Sequence, residues 1–312
     1  MNLLDAIKSN VIFFDGGTGT ELQKLEITHN PVVANITRPQ AITGVHRAYL
    51  QAGANIVTAN TFGAYSHKHD NFAEIIAAAM ANARAAVAEV GPAWVVLDLG
   101  PTGLLPEPYG DVTVQEMADI FAKTIEAGAA NGADAILIET MMDLNELEIA
   151  VTEAKKTGLP VFATMSFDPN GRTMYGASLQ DMVQLLQGLQ ADALGINCGQ
   201  GLAGYKNLVA ELVQLTELPV IVQPNAGLPE NEGGVAVYKL PPAEFAQFMS
   251  EIAGLGVKLL GGCCGTTPAH IAAVVEKVRP PRKLSEACEN ISESGSIFAR
   301  LNEFPERSTN RI

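Results

Sequence analysis

The sequence predicts a single (β/α)8 barrel of the α/β class on three observations. Eight short apolar runs alternate with longer amphipathic stretches. The runs recur about every 35 residues, the length of one βα unit. The 312-residue length is also usual for one such barrel. In order, the runs are Val11–Asp15, Asn55–Phe62, Ala93–Gly100, Ala135–Thr140, Pro160–Phe167, Ala193–Cys198, Pro219–Asn225 and Val257–Cys263. They are rich in β-branched residues, bounded by Gly or Pro, and alternate little, as parallel strands buried on both faces should.

Between the runs, Asn71–Val90, Val114–Asn131 and Asp143–Thr157 carry apolar residues at helical spacing with polar outer positions. The phrases Ala52-Gly53-Ala54-Asn55 and Asn131-Gly132-Ala133-Asp134 place Gly where a helix C-terminus turns into the next strand. A doubly wound open sheet is the alternative, but no G-x-G-x-x-G follows the first run. Residues 1–278 are expected to form the barrel. The remainder, 279–312, opens Arg-Pro-Pro-Arg-Lys and continues without periodicity, a C-terminal tail packed outside or partly disordered.

Hydrophobic residues make up 47% and charged residues 17%, enough apolar surface for a sizeable core, which excludes a disordered chain. A net charge of −14 opposes binding to phosphate backbones or anionic lipid, so neither nucleic acid nor membrane is an expected partner. The N-terminal MNLLDAIKSN lacks the features of a signal peptide, and no apolar run is long enough to span a bilayer. Four cysteines, two of them adjacent, make a poor disulfide framework. A reducing cytoplasm is the expected compartment, where cysteines more often bind metals or do chemistry.

Chemistry in such a barrel belongs at the C-terminal ends of the strands. Read in order, those ends carry Asp15, Asn60 and Thr61, Asp98, Glu139, Ser166 and Asp168, Asn197 and Cys198, Gln223 and Asn225, then Cys263 and Cys264. Strands six and eight are separated by one strand, so Cys198, Cys263 and Cys264 can converge on one metal ion, with flanking glycines letting the adjacent pair point inward. Three soft thiolates and one open position suit a catalytic zinc; the alternative is three small buried hydrophobes. An all-sulfur shell activates water weakly but holds a further thiolate in nucleophilic form. The expected reaction is alkyl transfer to a substrate thiol, with the three cysteines catalytic as well as metal-binding.

Asp15 and Glu139 offer carboxylates to an ammonium group, and the bare amides after Asp15, in Gly16-Gly17-Thr18-Gly19-Thr20, offer a nest for a carboxylate. Each has a plainer reading, Asp15 as a turn residue and Glu139 as a salt-bridged barrel residue. No lysine ends a strand, against a Schiff-base aldolase, and there is no Gly-x-Ser-x-Gly elbow. His67 and His69 read as solvated loop residues and His270 as surface or packing. Trp94, Met141 and Met142 read as core, Tyr65 and Tyr175 as loop residues able to cover the site, and Cys288 as a free thiol in the tail.

These motifs resemble the homocysteine S-methyltransferase family, most closely the homocysteine-binding domain of cobalamin-dependent methionine synthase. The matching phrases are FFDGGTGTELQ around Asp15, ANTFGA (59–64), LIETMMD (137–143), SFDPNGRTMYG (166–176), GINCGQG (195–201), QPNAGLP (223–229) and GGCCGTTPAHI (261–271). The resemblance implies Zn2+ bound by Cys198, Cys263 and Cys264 with the homocysteine sulfur as incoming ligand. It implies that Asp15 and Glu139 contact the substrate amino group and that the backbone near Gly16 and Gly17 receives its carboxylate. Asn225 is either a turn residue or, through its amide oxygen, the fourth zinc ligand when substrate is absent.

Family members take methyl groups from methylcobalamin, S-methylmethionine, S-adenosylmethionine or betaine. Gly265-Thr266-Thr267-Pro268 looks like the methionine-synthase branch, since the S-methylmethionine branch usually has Arg after the paired cysteines. No pterin-binding barrel or cobalamin-binding module follows in the sequence. The expected donor is therefore methylcobalamin carried by a partner corrinoid protein, or else a free small molecule. Two further readings stay open: another thiol or selenol acceptor at the same zinc, and a zinc subunit that only docks a corrinoid protein.

Overall fold

In a computed structural model, residues 2–279 are described apart from Gln200 and Ala203. The tail expected from 279 onward, with Cys288, lies outside the described residues beyond Arg279.

The strands are β1 (Ile12–Phe13), β2 (Ile56–Thr58), β3 (Trp94–Leu99), β4 (Ala135–Met141), β5 (Val161–Met165), β6 (Ala193–Cys198), β7 (Val220–Pro224), β8 (Pro229–Glu232), β9 (Val235–Tyr238) and β10 (Leu259–Leu260). Eight of them form one parallel sheet in the order β1-β10-β7-β6-β5-β4-β3-β2. A single parallel bridge from Phe14 to Ile56 joins the two ends into a ring, giving the expected barrel. The helices are α1 (Leu3–Ser9), α2 (Thr18–Lys24), α3 (Ala34–Thr37), α4 (Pro39–Gln51), α5 (Phe72–Val90), α6 (Val114–Ala130), α7 (Leu144–Lys155), α8 (Leu179–Gly188), α9 (Tyr205–Leu215), α10 (Pro242–Gly254) and α11 (Pro268–Val278).

Two apolar layers position the site. Inside the ring, Phe14, Ile56, Val96, Leu137, Phe162, Ile221 and Leu259 pack together, and Phe14 meets Phe162 edge-on at 6.4 Å. Leu3, Ala6 and Ile7 of α1 join this layer and close one end of the barrel. That helix, capped by Asn2 through its bond from the Asp5 amide, is not signalled by the repeat. Outside the ring a larger layer lies between sheet and helices.

The closed end, the floor, has its own polar device. Asn55 Oδ1 accepts from the Phe13 amide at 3.1 Å, Asp134 Oδ2 from Val95 at 2.7 Å and Asp192 Oδ2 from Val161 at 2.8 Å. Each incoming αβ loop thus satisfies an N–H at the start of the preceding strand. Gly53 (φ +99°) and Gly132 (φ +82°) turn the chain as their phrases predict.

Several strands are shorter than their apolar runs. The second run leaves the ladder after Thr58, and its Phe62 turns out to 42% exposure, with the ring over Gly100, where an added Cβ would come within 2.2 Å. The β8–β9 hairpin, absent from the sequence reading, turns on Gly233 (φ +63°) and Gly234 (φ +89°). Two left-handed residues in a two-residue turn are the usual hairpin connection.

Candidate active site and metal centre

Cys198 ends β6 with φ +58°, a conformation unusual for a residue with a side chain, and Gly199 follows at φ +77°. Cys263 and Cys264 follow β10 across Gly261 and Gly262, where an added Cβ would meet Phe14 at 2.7 Å and Thr266 at 2.4 Å. This close approach brings all three sulfurs within 4.8 Å of one another. Cys263 and Cys264 stand 4.0 Å apart, far beyond the roughly 2.05 Å of a disulfide. Three thiolates on a tetrahedral zinc, at about 2.3 Å each, would sit about 3.8 Å apart. The cluster fits such an ion with little adjustment.

Hydrogen bonds from Cys263 and Cys264 hold the Cys198 thiol down at about 3, against the opposing effect of burial. Hydrogen bonding to Cys198 pushes Cys264 up to about 11 and is the first cause that raises Cys263 as well. Asn225 is buried beside Cys198, its Nδ2 donates to the Gly199 carbonyl at 2.9 Å, and its Oδ1 has no partner. Its carbonyl oxygen is thus a buried acceptor without a donor, as the oxygen of a ligand awaiting a cation would be.

The thiols form one wall of a pocket of about 310 Å³, whose other walls include Asp15, Asp98, Glu139 and the chain from Gly16 to Thr20. No Lys or Arg is among its lining residues. Asp15 is buried and accepts from the Thr58 amide at 2.8 Å and hydroxyl at 3.1 Å. Burial nevertheless raises its carboxyl to about 7, with the Thr58 donors opposing. Glu139 is raised to about 8 by burial, then by the charges of Asp15 and Cys198. Burial, then the charges of Glu139 and Asp15, push Asp98 well above the usual carboxylate range, and its Oδ1 has no partner. Three crowded carboxylates without a cation make a receptor for one.

A bulge near the end of β4 aims Glu139. The register shifts between Ile138 and Met141, and Thr140 takes φ +60°, a genuine outlier for a β-branched residue. Asn197 holds this turn: its Oδ1 accepts from the Thr140 amide and the Thr164 hydroxyl, both at 2.8 Å. Its Nδ2 donates to Glu139 Oε2 at 3.2 Å and Thr140 Oγ1 at 2.8 Å. Asn197 thus ties the carboxylate to the strand that ends in Cys198.

Gly16 packs against Thr266 and Tyr49, where an added Cβ would come within 2.6 Å. The Gly17 amide is engaged, donating to Thr266 Oγ1 at 3.0 Å. Thr18, Gly19 and Thr20 open α2, where backbone amides have no intrahelical acceptor, and all three line the same pocket.

Other strand-end residues turn elsewhere. Asp168 accepts from the amides of Asn170 and Arg172 and serves its own turn. Asn60 and Gln223 line the pocket, whereas Thr61 bonds the Asp98 backbone. Tyr65 covers nothing: it is fully buried, and its hydroxyl bonds the Gly100 carbonyl. Tyr175 borders a separate surface groove with Tyr109 and Leu105. His67 stacks on Tyr65 and bonds Thr102, and His270 is buried at the cap of α11. Met141 is core, while Trp94 packs partly buried against the inner layer. Thr58 and Tyr238 carry no motif of their own, and only the fold reveals their places beside Asp15 and Cys264.

The fold and this mouth define a barrel of the enzyme type, with one acidic, thiol-lined pocket at the C-terminal ends of its strands. The homocysteine S-methyltransferase family model matches residues 12–278, and the chain belongs to that family. It is 33% identical to methionine synthase of Mycobacterium tuberculosis over 91% of its own length, and 31% identical to that of Mycobacterium leprae over 89%. It spans only about a quarter of the length of these curated relatives, 26% and 25%. The crystal structure of the metallated homocysteine methyltransferase MmuM from Escherichia coli aligns with a TM-score of 0.71 at 28% identity, covering 89% of this chain and 98% of that one.

Proposed function

We propose that the chain is a zinc-dependent homocysteine S-methyltransferase that forms methionine, with a methylcorrinoid on a separate module or protein as donor. The observation that carries this reading is the pairing, in one pocket, of three thiols within 4.8 Å with three carboxylates that have no cation. One wall suits a thiophilic ion and the other an amino acid's ammonium.

Zinc held by Cys198, Cys263 and Cys264 would keep an incoming thiol deprotonated at neutral pH while leaving it nucleophilic. Asn225, whose amide lies beside Cys198 and whose Oδ1 is unpartnered, would be the group to hold the fourth position until that thiol arrives. Asp15 and Glu139 receive the substrate ammonium, whose charge draws both toward their ionised forms. The amides opening α2 receive the carboxylate, aided by the positive end of the helix. Held at both ends, the substrate has its sulfur aimed out of the barrel, where a lone pair forms the S–CH3 bond as the donor–methyl bond breaks. The inner apolar layer closes the pocket from below, so the donor approaches from the mouth.

A small free donor is the second reading, which membership of the family leaves open. The glycine after Cys264 supports the first, through the resemblance to the methionine-synthase branch. No helix among the described residues is long and apolar enough to cross a membrane, and the free thiols fit a cytoplasmic setting.

The deciding assay offers homocysteine and zinc-loaded chain each donor separately: methylcobalamin, S-methylmethionine, S-adenosylmethionine and betaine. Efficient turnover with methylcobalamin alone supports the corrinoid reading, and turnover with a small donor replaces it. No turnover with any donor, despite tight zinc and homocysteine binding, would leave a subunit that needs a corrinoid protein.

A further inference from the structure

Tyr238 reaches the thiol cluster from an element that the proposed chemistry does not use. It ends β9, in a hairpin whose residues from Pro229 to Ala236 are exposed. Its ring lies against the backbone of Gly265, where an added Cβ would come within 2.2 Å of Tyr238 Cγ. Gly265 directly follows Cys264 and has φ +78°, so glycine is needed there both for the turn and for the ring.

The base of the hairpin is fastened to the same segment. His270 Nδ1 accepts from the Thr267 amide at 3.2 Å, which leaves the proton on Nε2. That nitrogen donates to the Leu240 carbonyl at 2.9 Å, two residues past Tyr238. At the other root, the Ala226 amide donates to the Cys264 carbonyl at 2.9 Å. Leu240 packs on Gly227, whose added Cβ would lie 3.3 Å from it. Chain entering and leaving the hairpin is thus bound to residues 264–270, the stretch that begins with Cys264. The exposed strands themselves are held by Lys239 bridging Glu230 and Glu232 at 2.6 and 2.7 Å.

We propose that Tyr238 is a positioning residue for Cys264, its ring packed on the backbone of the next residue and fixing where the sulfur stands. The hairpin then holds one corner of the metal site. This inference rests on the metal-site reading above. Outer partners of metal ligands are commonly worth 10- to 100-fold in affinity.

Tyr238→Phe keeps the ring packed on Gly265 and should behave as wild type, whereas the full-length chain carrying Tyr238→Ala loses it. It is expected to bind zinc about tenfold more weakly in competition with a chelating dye. The thiolate-to-cobalt charge-transfer band of its Co2+-loaded form should shift, while KM for homocysteine stays within about twofold. In the metal-free chain, Tyr238→Ala should speed iodoacetamide alkylation of Cys264, mapped by peptide mass, by about fivefold or more, leaving Cys198 within about twofold. Should Tyr238→Ala not fold by circular dichroism, Tyr238→Leu takes its place. Wild-type zinc affinity and cobalt spectrum in Tyr238→Ala, or unchanged alkylation of Cys264, would overturn the proposal. A wild-type chain that takes up no zinc would sink the metal reading instead, and the alkylation result would still decide the role of Tyr238.

Discussion

The two ends of the barrel use the same residue types to opposite effect. At the floor, Asn55, Asp134 and Asp192 each accept a strand N–H, and the two aspartates also pair with Arg84 and Lys155 at 2.9 and 3.0 Å. At the mouth, Asp98 Oδ1, Gln223 Oε1 and Asn225 Oδ1 have no partner, and Glu139 faces the charge of Asp15 in a pocket lined by no Lys or Arg. Leaving buried polar atoms unsatisfied costs about 1–3 kcal/mol each. Satisfied ends stabilise the fold, and unsatisfied ends are held for a ligand at the expense of stability.

The sharpest break between the two ends is expected from the thiols. Cys198→Ala should abolish zinc binding and lower turnover by more than about 1,000-fold, while the barrel keeps its circular dichroism spectrum and Tm within a few degrees. Metal content and a methyl-transfer assay check it, and a variant retaining both would remove the zinc assignment.

A floor substitution should do the reverse. Asp192→Ala removes the acceptor for the Val161 amide and the partner of Lys155, and is expected to destabilise the fold by about 2 kcal/mol. Zinc affinity and kcat/KM should stay within about threefold. Denaturant titration beside steady-state kinetics reads both, and a floor variant that lost activity without losing stability would dissolve the distinction.

This contrast also explains what was legible in the sequence. The barrel and thiol cluster could be read because parallel strands announce themselves as apolar runs and the cysteines fall at their ends. Asp168 sits at an equivalent position, yet a local turn claims it, since an Asp followed by Pro-Asn-Gly bonds its own backbone as readily as a ligand. The plug α1 buries only Leu3, Ala6 and Ile7, too few for a periodic signal. Tyr65 was misplaced because loop position alone does not tell which way a side chain points. Tyr238 was invisible for want of a motif: its role follows from packing against Gly265, a contact between distant residues.

A third prediction uses pH to separate the ends. Asp15 has a folded value of about 7 against 3.8 for the free side chain. The native state therefore holds a proton that the unfolded chain has lost between those values. Its burial is tolerated at low pH, and stability is lost as pH rises toward and through 7, by up to about 4 kcal/mol for this group alone. Asp15→Asn should make the metal-free chain more stable at pH 8 than wild type, with little difference at pH 4, and should raise KM for homocysteine about tenfold or more. Thermal melts across pH and initial rates test the two halves. Equal stability of the two proteins at pH 8 would count against a stored cost at the mouth.

The smallest effect asks whether an unpartnered polar group marks a site wherever it occurs. His46 lies on α4, fully buried, with no hydrogen-bond partner for either ring nitrogen, yet it is not among the residues that line the pocket. Burial lowers it to about 4 from 6.5, so the native state keeps it neutral where the unfolded chain takes up a proton. Its contribution is present above pH 6.5 and is lost as pH falls from there through 4, by about 3 kcal/mol at most. His46→Leu, close in bulk and free of polar atoms, should flatten this acid limb and leave stability at pH 7.5 equal or about 1 kcal/mol higher. Zinc affinity and homocysteine KM should not move. If they do, an orphaned buried group in the helical shell is coupled to the mouth, and lack of a partner is the mark of a site in both places. If they do not, the mark is the convergence at the mouth of several such groups on one cavity, with a single orphan elsewhere only a cost of packing.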